Sequence, residues 1–312
     1  MTISICLNTR AQVFNFETDT ISASTLVASS FISDSEGWIA DNSGMLLHTH
    51  NAGLTWPVIP VEKKFEKLNY VNSFVGYGIA SGALYKTENG GTSWSALILP
   101  GSASHAIYFF DQNIGLVSGN HVVYKTTNGG ANWSTISTGV DFADYHFISA
   151  EVGFAASRDE DSIRCIWRTM DGGSSWVSVH NEESLYINSI WFTDENTGWA
   201  AGYYERIGRG KLPAIHQSHD GGLTWENVYL NQELVSVKGE ALIDIHFRNE
   251  LEGFALATYS QSVMTVNGGA TWLFTHDEEG NEVIPDWGIY KSLDGFDTLY
   301  LMGRKGMVTK WD

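Results

Sequence analysis

The chain has 312 residues, 36 acids against 18 bases, and a net charge of −18. So acidic a chain lacks the basic face that displaces counterions from a phosphate backbone, and general nucleic-acid binding is disfavoured. No apolar run reaches the roughly 18 residues a membrane-spanning helix needs, and the two cysteines, Cys6 and Cys165, are too few for a zinc framework.

Residues 1–11 read as the remnant of a targeting segment or as a disordered lead-in. Ile3–Leu7 is apolar but short, no basic residue precedes it, and a cleavage-like Ala11-Gln12 follows. Residues 12–18 read as an extended segment. One short pattern then recurs six times: HTHNAGLTW, KTENGGTSW, KTTNGGANW, RTMDGGSSW, QSHDGGLTW and MTVNGGATW. Its first fixed position is Asn51, Asn89, Asn128, Asp171, Asp220 and Asn267. Its last is Trp56, Trp94, Trp133, Trp176, Trp225 and Trp272, spaced by 38, 39, 43, 49 and 47 residues.

Two further columns keep the same period. Gly37, Gly76, Gly115, Gly153, Gly198 and Gly253 each precede a large apolar residue. Six residues before each stands an aromatic: Phe31, Tyr70, Phe109, Phe147, Phe192 and Phe247. Each unit reads as four strands. In the third these are 105–110, 114–118, 121–126 and 133–137, with the repeated motif as the turn between the last two. The Asn or Asp side chain is expected to bond its own backbone two residues on, as an Asx-turn. The glycines supply positive φ. The Trp ring packs, its N–H seeking a carbonyl.

Four-stranded units of about 40 residues repeated radially are propeller blades. The pattern predicts an all-β, seven-bladed β-propeller as a single domain over 12–312. Its blades are 25–60, 65–100, 104–138, 142–180, 186–231, 241–277 and 286–312. In the last unit 287–291, 298–303 and 307–311 read as strands and the fourth is missing. Residues 12–18 are expected to supply it, since an open blade leaves an unpaired edge.

Because strands alternate in direction, the six repeated turns share one face with the A–B turns, and the B–C loops and D-to-A links lie on the other. The repeated turns are read as structural. Binding is expected where the repeat is interrupted. The B–C loop of blade 4 grows to Arg158–Ser162 and that of blade 5 to Tyr203–Pro213, and blade 7 offers Arg304 and Lys305. The candidate binding residues are therefore Arg158, Arg164, Tyr203, Tyr204, Arg206, Arg209, Lys211, Arg304 and Lys305. Their chemistry suits an acidic or aromatic-rich partner segment.

No cofactor and no metal site is expected. The acidic links, such as 277–286, lack a calcium-loop spacing. His48 and His50 share one side of a strand, and His216 and His219 point to opposite faces. Neither pair finds further ligands nearby in the sequence. Asp144, Asp244 and Asp286 stand near strand A starts, where two-carboxylate hydrolysis could be housed.

The turn motif resembles the Asp-box, or BNR repeat, of sialidases. Over residues 25–311 the three columns most resemble the seven-bladed photosystem II stability/assembly factor family. That resemblance implies a non-catalytic scaffold that holds a membrane-protein client outside the cytoplasm. It implies a periplasmic or secreted location, a protein partner and no membrane insertion of its own. The arginine-rich patch of photosynthetic members does not align here. Sialidase-type and cellulose-active relatives supply the rival expectation, a glycoside hydrolase or a glycan-binding propeller. The sialidase arginines are missing: only Arg10 precedes Trp56, and the next arginine is Arg158.

Overall fold

The computed structural model describes residues 2–3, 16–103, 105–157, 165–206, 210–230, 241–258, 262–274, 290–295, 298–303, 305 and 307–311. Seven antiparallel sheets make up the chain; in six of them strands A to D follow in sequence order from the inside out, and the seventh takes its outer strand from the N-terminus. In blade 3 they are Ile107–Phe109, Gly115–Ser118, Val122–Thr126 and Ser134–Ser137, within two residues of expectation. Strand A of each blade touches strand A of the next, and that of blade 7 touches that of blade 1. The chain is a closed seven-bladed propeller.

Closure comes from the N-terminal strand. Phe16–Thr20 pairs antiparallel with Met307–Trp311, Phe16 lying opposite Trp311 and Thr20 opposite Met307. The closing strand thus reaches two residues beyond the expected 12–18, whose first four residues lie outside the described ones. A fifth strand, Thr2–Ile3, adds to its outer edge through Phe16 and Glu17. Strand A of blade 7 is described over Tyr290–Gly295, and of the expected 287–291 the first three residues lie outside the described ones. Its hairpin sets Gly295 opposite Leu299 and carries a bulge between Tyr290 and Ser292. The long B–C loop expected over Tyr203–Pro213 in blade 5 is corrected: 203–206 and 210–213 are strand, and 207–209 lie outside the described residues. Gly198–Arg206 and Gly210–Ser218 pair without a break out to Arg206 opposite Gly210.

The repeated columns build the contacts between blades. Each column glycine lies directly across the A–B hairpin from its aromatic, as Phe31 does from Gly37 and Phe147 from Gly153. The aromatic ring lies flat over the glycine. A Cβ on any of the six would come within 2.6 Å of a ring carbon, so no side chain fits. The residue after the glycine then reaches into the neighbouring blade. Trp38 stacks on Tyr70 at 3.8 Å, Tyr77 on Phe109 at 3.4 Å, Phe154 on Phe192 at 4.2 Å and Trp199 on Phe247 at 3.9 Å. Tyr300 of blade 7 stacks on Phe31 at 4.3 Å and carries the series across the closure.

The Asp-box tryptophan completes the unit. Trp56, Trp94, Trp133, Trp225 and Trp272 meet their own blade's aromatic edge-on, at 5.8–6.4 Å and 84–89°. Each such pair contributes about 0.5–1.5 kcal/mol beyond its buried area. The core is consequently a ring of separate clusters, one at each seam among the described residues from blade 7/1 to blade 5/6.

The Asp-box turn differs from the expected Asx-turn. Asn89 Oδ1 accepts the N–H of Ser93, four residues on, and Asp171 and Asp220 do the same with Ser175 and Thr224. The tighter anchor is a hydroxyl two residues before the Asn or Asp. Thr87 Oγ1 accepts the N–H of Gly91 at 2.9 Å and donates to Asn89. Thr49, Thr126, Thr169, Ser218 and Thr265 repeat this, and all six are buried. Gly91 sits at φ 95°, where a side chain would be strained. Of the six indoles, Trp94 and Trp225 donate to the carbonyls of Gly91 and Gly222.

Gly153→Ala is expected to destabilise the fold by about 1–3 kcal/mol through overpacking against Phe147. In a Phe147→Leu background the same change should cost less. Urea denaturation of the four proteins of this cycle measures the difference.

Candidate functional site

The predicted binding residues divide by place. Arg158, Arg164, Arg209 and Arg304 lie outside the described residues, and so does Asp286. Lys305 is exposed in the blade 7 B–C turn at φ 56°. Tyr203, Tyr204, Arg206 and Lys211 come together on the blade 5 hairpin, whose nine-residue strands B and C outreach those of the other blades. Strand A of this blade, Leu185–Phe192, lengthens with them, so Leu185 lies opposite Tyr204.

The hairpin is an ordered arm. Tyr203 stacks on Tyr186 at 4.6 Å and 7°, and the Lys211 ammonium lies 4.3 Å from the Tyr203 centroid on the same arm. Ammonium, ring and ring form one column. The hydroxyl of Tyr186 donates to Glu205, and that of Tyr204 donates to Glu182 at 2.7 Å. Burial first, and the Glu182 carboxylate second, push the Tyr204 phenol well above its ordinary pKa, so it remains a donor. A cation is therefore held on a braced aromatic rib, able to meet a carboxylate.

A second polar feature was not foreseen as a set. A central cavity of about 1150 Å³ is lined by strands A of blades 1 to 6. Every strand A has an open inner edge, and edge N–H groups need partners. Side chains from the preceding blade supply them. Ser30 accepts the N–H of Tyr70 at 2.8 Å, Asn69 that of Phe109 at 2.6 Å, His146 Nε2 that of Phe192 at 3.2 Å and Asp144 that of Ile190 at 3.2 Å. Asn188 donates to the Leu242 carbonyl at 2.6 Å. These residues stand one, three or four places before the column aromatic. That offset was readable, but nothing in the sequence reveals that they face the next blade. Bulges in strand A of blades 1, 4, 5 and 6 keep the earlier residue in the core while the later ones face the cavity.

Asp144 and Asp244 do line the cavity, as their position suggested. Ser189 donates to Asp244 at 3.0 Å and also bonds Asp144. Burial raises the Asp144 pKa, against the pull of Lys67 and of the Ile190 N–H. Both carboxylates are thus engaged in joining blades 4, 5 and 6. Burial lowers His146 to about 4, consistent with a ring nitrogen that must keep its lone pair to accept from Phe192.

The fold also gathers histidines that the sequence left apart. Glu36 comes to His48 at 3.2 Å and to His50 at 3.4 Å on the Asp-box face. At the blade 4/5 seam His180 and His216 face Glu182. His219 turns outward, 62% exposed against 1% for His216. Burial lowers His216 to about 4, with the neighbouring His180 acting in the same direction.

Fold and site together define a seven-bladed propeller of the Asp-box type, with one projecting arm on the face opposite its repeated turns. A family model described as "Photosynthesis system II assembly factor YCF48" matches residues 15–106. The chain is 24% identical over 308 residues to the chloroplastic photosystem II stability/assembly factor HCF136 of Cyanidioschyzon merolae, covering 70% of this chain and 67% of that one. It is 35% identical over 68 residues to the photosystem II assembly lipoprotein Ycf48 of a Synechococcus strain, 20% of each chain. Among solved structures, "YCF48 bound to D1 peptide" superposes with a TM-score of 0.72 at 19% identity, covering 100% of this chain and 99% of that one. The GH74 xyloglucanase of Xanthomonas campestris gives 0.69 at 10% identity, covering 94% of this chain and 53% of that one. The resemblance to photosystem II assembly-factor propellers thus holds in sequence and in fold.

With a folded-state pKa of about 4 for His146, the unfolded chain binds a proton below its ordinary pKa that the fold refuses. Stability therefore falls as pH drops from about 6.5 toward 4 and levels off below. His216 adds a fall of the same sign, and the raised Asp144 opposes it. His146→Asn, which copies Asn69 at the equivalent place in blade 2, keeps the acceptor and removes the titration. It should make the loss between pH 6.5 and 4.5 shallower by about 2 kcal/mol, read from urea denaturation at a series of pH values.

Proposed function

We propose that the chain is a non-catalytic assembly scaffold that binds a segment of a membrane-protein client through the B–C/D–A face, outside the cytoplasm. The observation that carries this reading is the whole-chain superposition on a propeller solved with a D1 peptide. The similarity to the chloroplastic and lipoprotein assembly factors, across most of this chain in the first case, supports it. The names of those relatives also support the extracytoplasmic location.

On this chain the arm is the natural contact. Lys211, held over the Tyr203 ring, offers a cation on a fixed aromatic support. Arg206 extends the same hairpin. Arg158, Arg164, Arg209, Arg304 and Lys305 would add positive charge around it, against a chain of net charge −18. Such a local reversal of sign selects an acidic segment and repels like-charged partners. The rival reading, hydrolysis or binding of a glycan, has the xyloglucanase superposition in its favour. Against it, Asp144 and Asp244 are occupied by the Ile190 N–H and by Ser189. A general acid and its partner need those oxygens for substrate and water.

The test is fluorescence anisotropy with a labelled D1 peptide and a scrambled peptide of the same composition. The expected outcome is sequence-dependent binding to the wild-type chain that weakens at least tenfold in Arg206→Glu/Lys211→Glu and with rising salt. Equal binding of both peptides, or none, would overturn the reading. Turnover of a xyloglucan or other glycoside panel, lost in Asp144→Asn, would put the hydrolase in its place.

A further inference from the structure

A cluster of titratable side chains lies at the blade 4/5 seam, at the base of the arm. His180 lies on strand Val177–Asn181, the outer strand of blade 4. Glu182 begins the link to blade 5. His216 and Tyr204 lie on strands C and B of blade 5. The Glu182 carboxylate is 3.4 Å from His216 Nε2 and 3.7 Å from His180 Nε2. One donor atom from each of the three residues falls within a sphere of mutual separations below 4.8 Å. The Tyr204 hydroxyl closes the group, 3.1 Å from His216 Nε2 and 2.7 Å from Glu182.

The placing of His180 suits a cation better than it suits hydrogen bonding. His180 Nε2 is buried and has no hydrogen-bond partner among the described residues. At 3.7 Å the carboxylate is too far to serve as one. Tetrahedral ligands at 2.0–2.1 Å from a zinc ion stand about 3.4 Å apart, close to the spacing between Glu182 and the two imidazoles. The Glu36/His48/His50 group lacks this signature. Neither of its rings has a buried nitrogen left without a partner, since both lie within 3.4 Å of the carboxylate, and His50 is 63% exposed.

We infer that His180, Glu182 and His216 form a binding site for a divalent transition-metal ion, zinc by ligand type, with the Tyr204 hydroxyl beside the fourth position. Two imidazoles and one carboxylate select such an ion over calcium or magnesium, which prefer oxygen alone. The ion would tie the outer strand of blade 4 to the arm of blade 5 and so brace the projecting hairpin.

The test needs no client and is independent of the scaffold reading. The full-length chain, stripped with EDTA, is titrated with ZnCl2 against a chromophoric chelator, and its metal content and melting temperature are followed. The wild type should take one tight equivalent and melt higher when loaded. His180→Ala and Glu182→Gln should each weaken binding about 100-fold or more and abolish the melting shift. Tyr204→Phe should weaken it about tenfold, in the range of outer-shell changes. His50→Ala should leave it unchanged. Melting of the zinc-free variants checks that each folds, and Glu182→Gln, at a partly exposed residue, stands in if His180→Ala does not. No tight equivalent, binding indifferent to both changes, or loss on His50→Ala would overturn the inference.

Discussion

An aromatic ring lying flat on a glycine is the contact on which the propeller depends. Phe31 over Gly37, and its five counterparts, bring each ring against the hairpin backbone and leave its other surfaces for neighbours. The residue after the glycine stacks on the ring of the following blade, and the Asp-box indole of that ring's own blade meets it edge-on. One small residue thereby sets the distance between sheets, and one aromatic serves both its own blade and the one before. Because each seam is a separate cluster, the fold is held by a circuit of similar contacts rather than by one central core.

A circuit of blades exposes the inner edges of seven sheets. Side chains that reach from one blade to the backbone of the next answer this, with Ser30, Asn69, Asp144 and His146 each bonding an N–H of the following strand A. The same role is filled by a hydroxyl, an amide, a carboxylate and an imidazole. Polar residues in the cavity therefore have a structural occupation before any catalytic one.

Blade 5 departs from the repeat in the length of its strands. Its three inner strands are lengthened together, so the extra residues form a ribbed arm braced by stacked Tyr186 and Tyr203 and by hydrogen bonds to Glu182 and Glu205. In the proposed function, a braced hairpin carrying a cation would lose little ordering entropy on binding an extended segment.

Period and residue type were enough to determine the blade count, the strand order, the closing N-terminal strand and the role of the Asn/Asp-Gly-Gly turn. These are local properties, written into spacing and turn chemistry, and six copies made them unmistakable. The buried hydroxyl of Thr87 and its equivalents stood in every repeat, yet its bond to Gly91 depends on a four-residue turn geometry that composition does not specify. Tyr203–Arg206 and Lys211 stood out as an interruption of the repeat but not as paired strands, since an inserted segment reads alike whether it coils or extends the ladder. The union of His180 and Glu182 with His216, and of Asp144 with Ser189 and Asp244, was decided by tertiary structure alone. Such contacts join residues from different blades, and their distances are set by how sheets pack side by side, which no local pattern along one strand encodes.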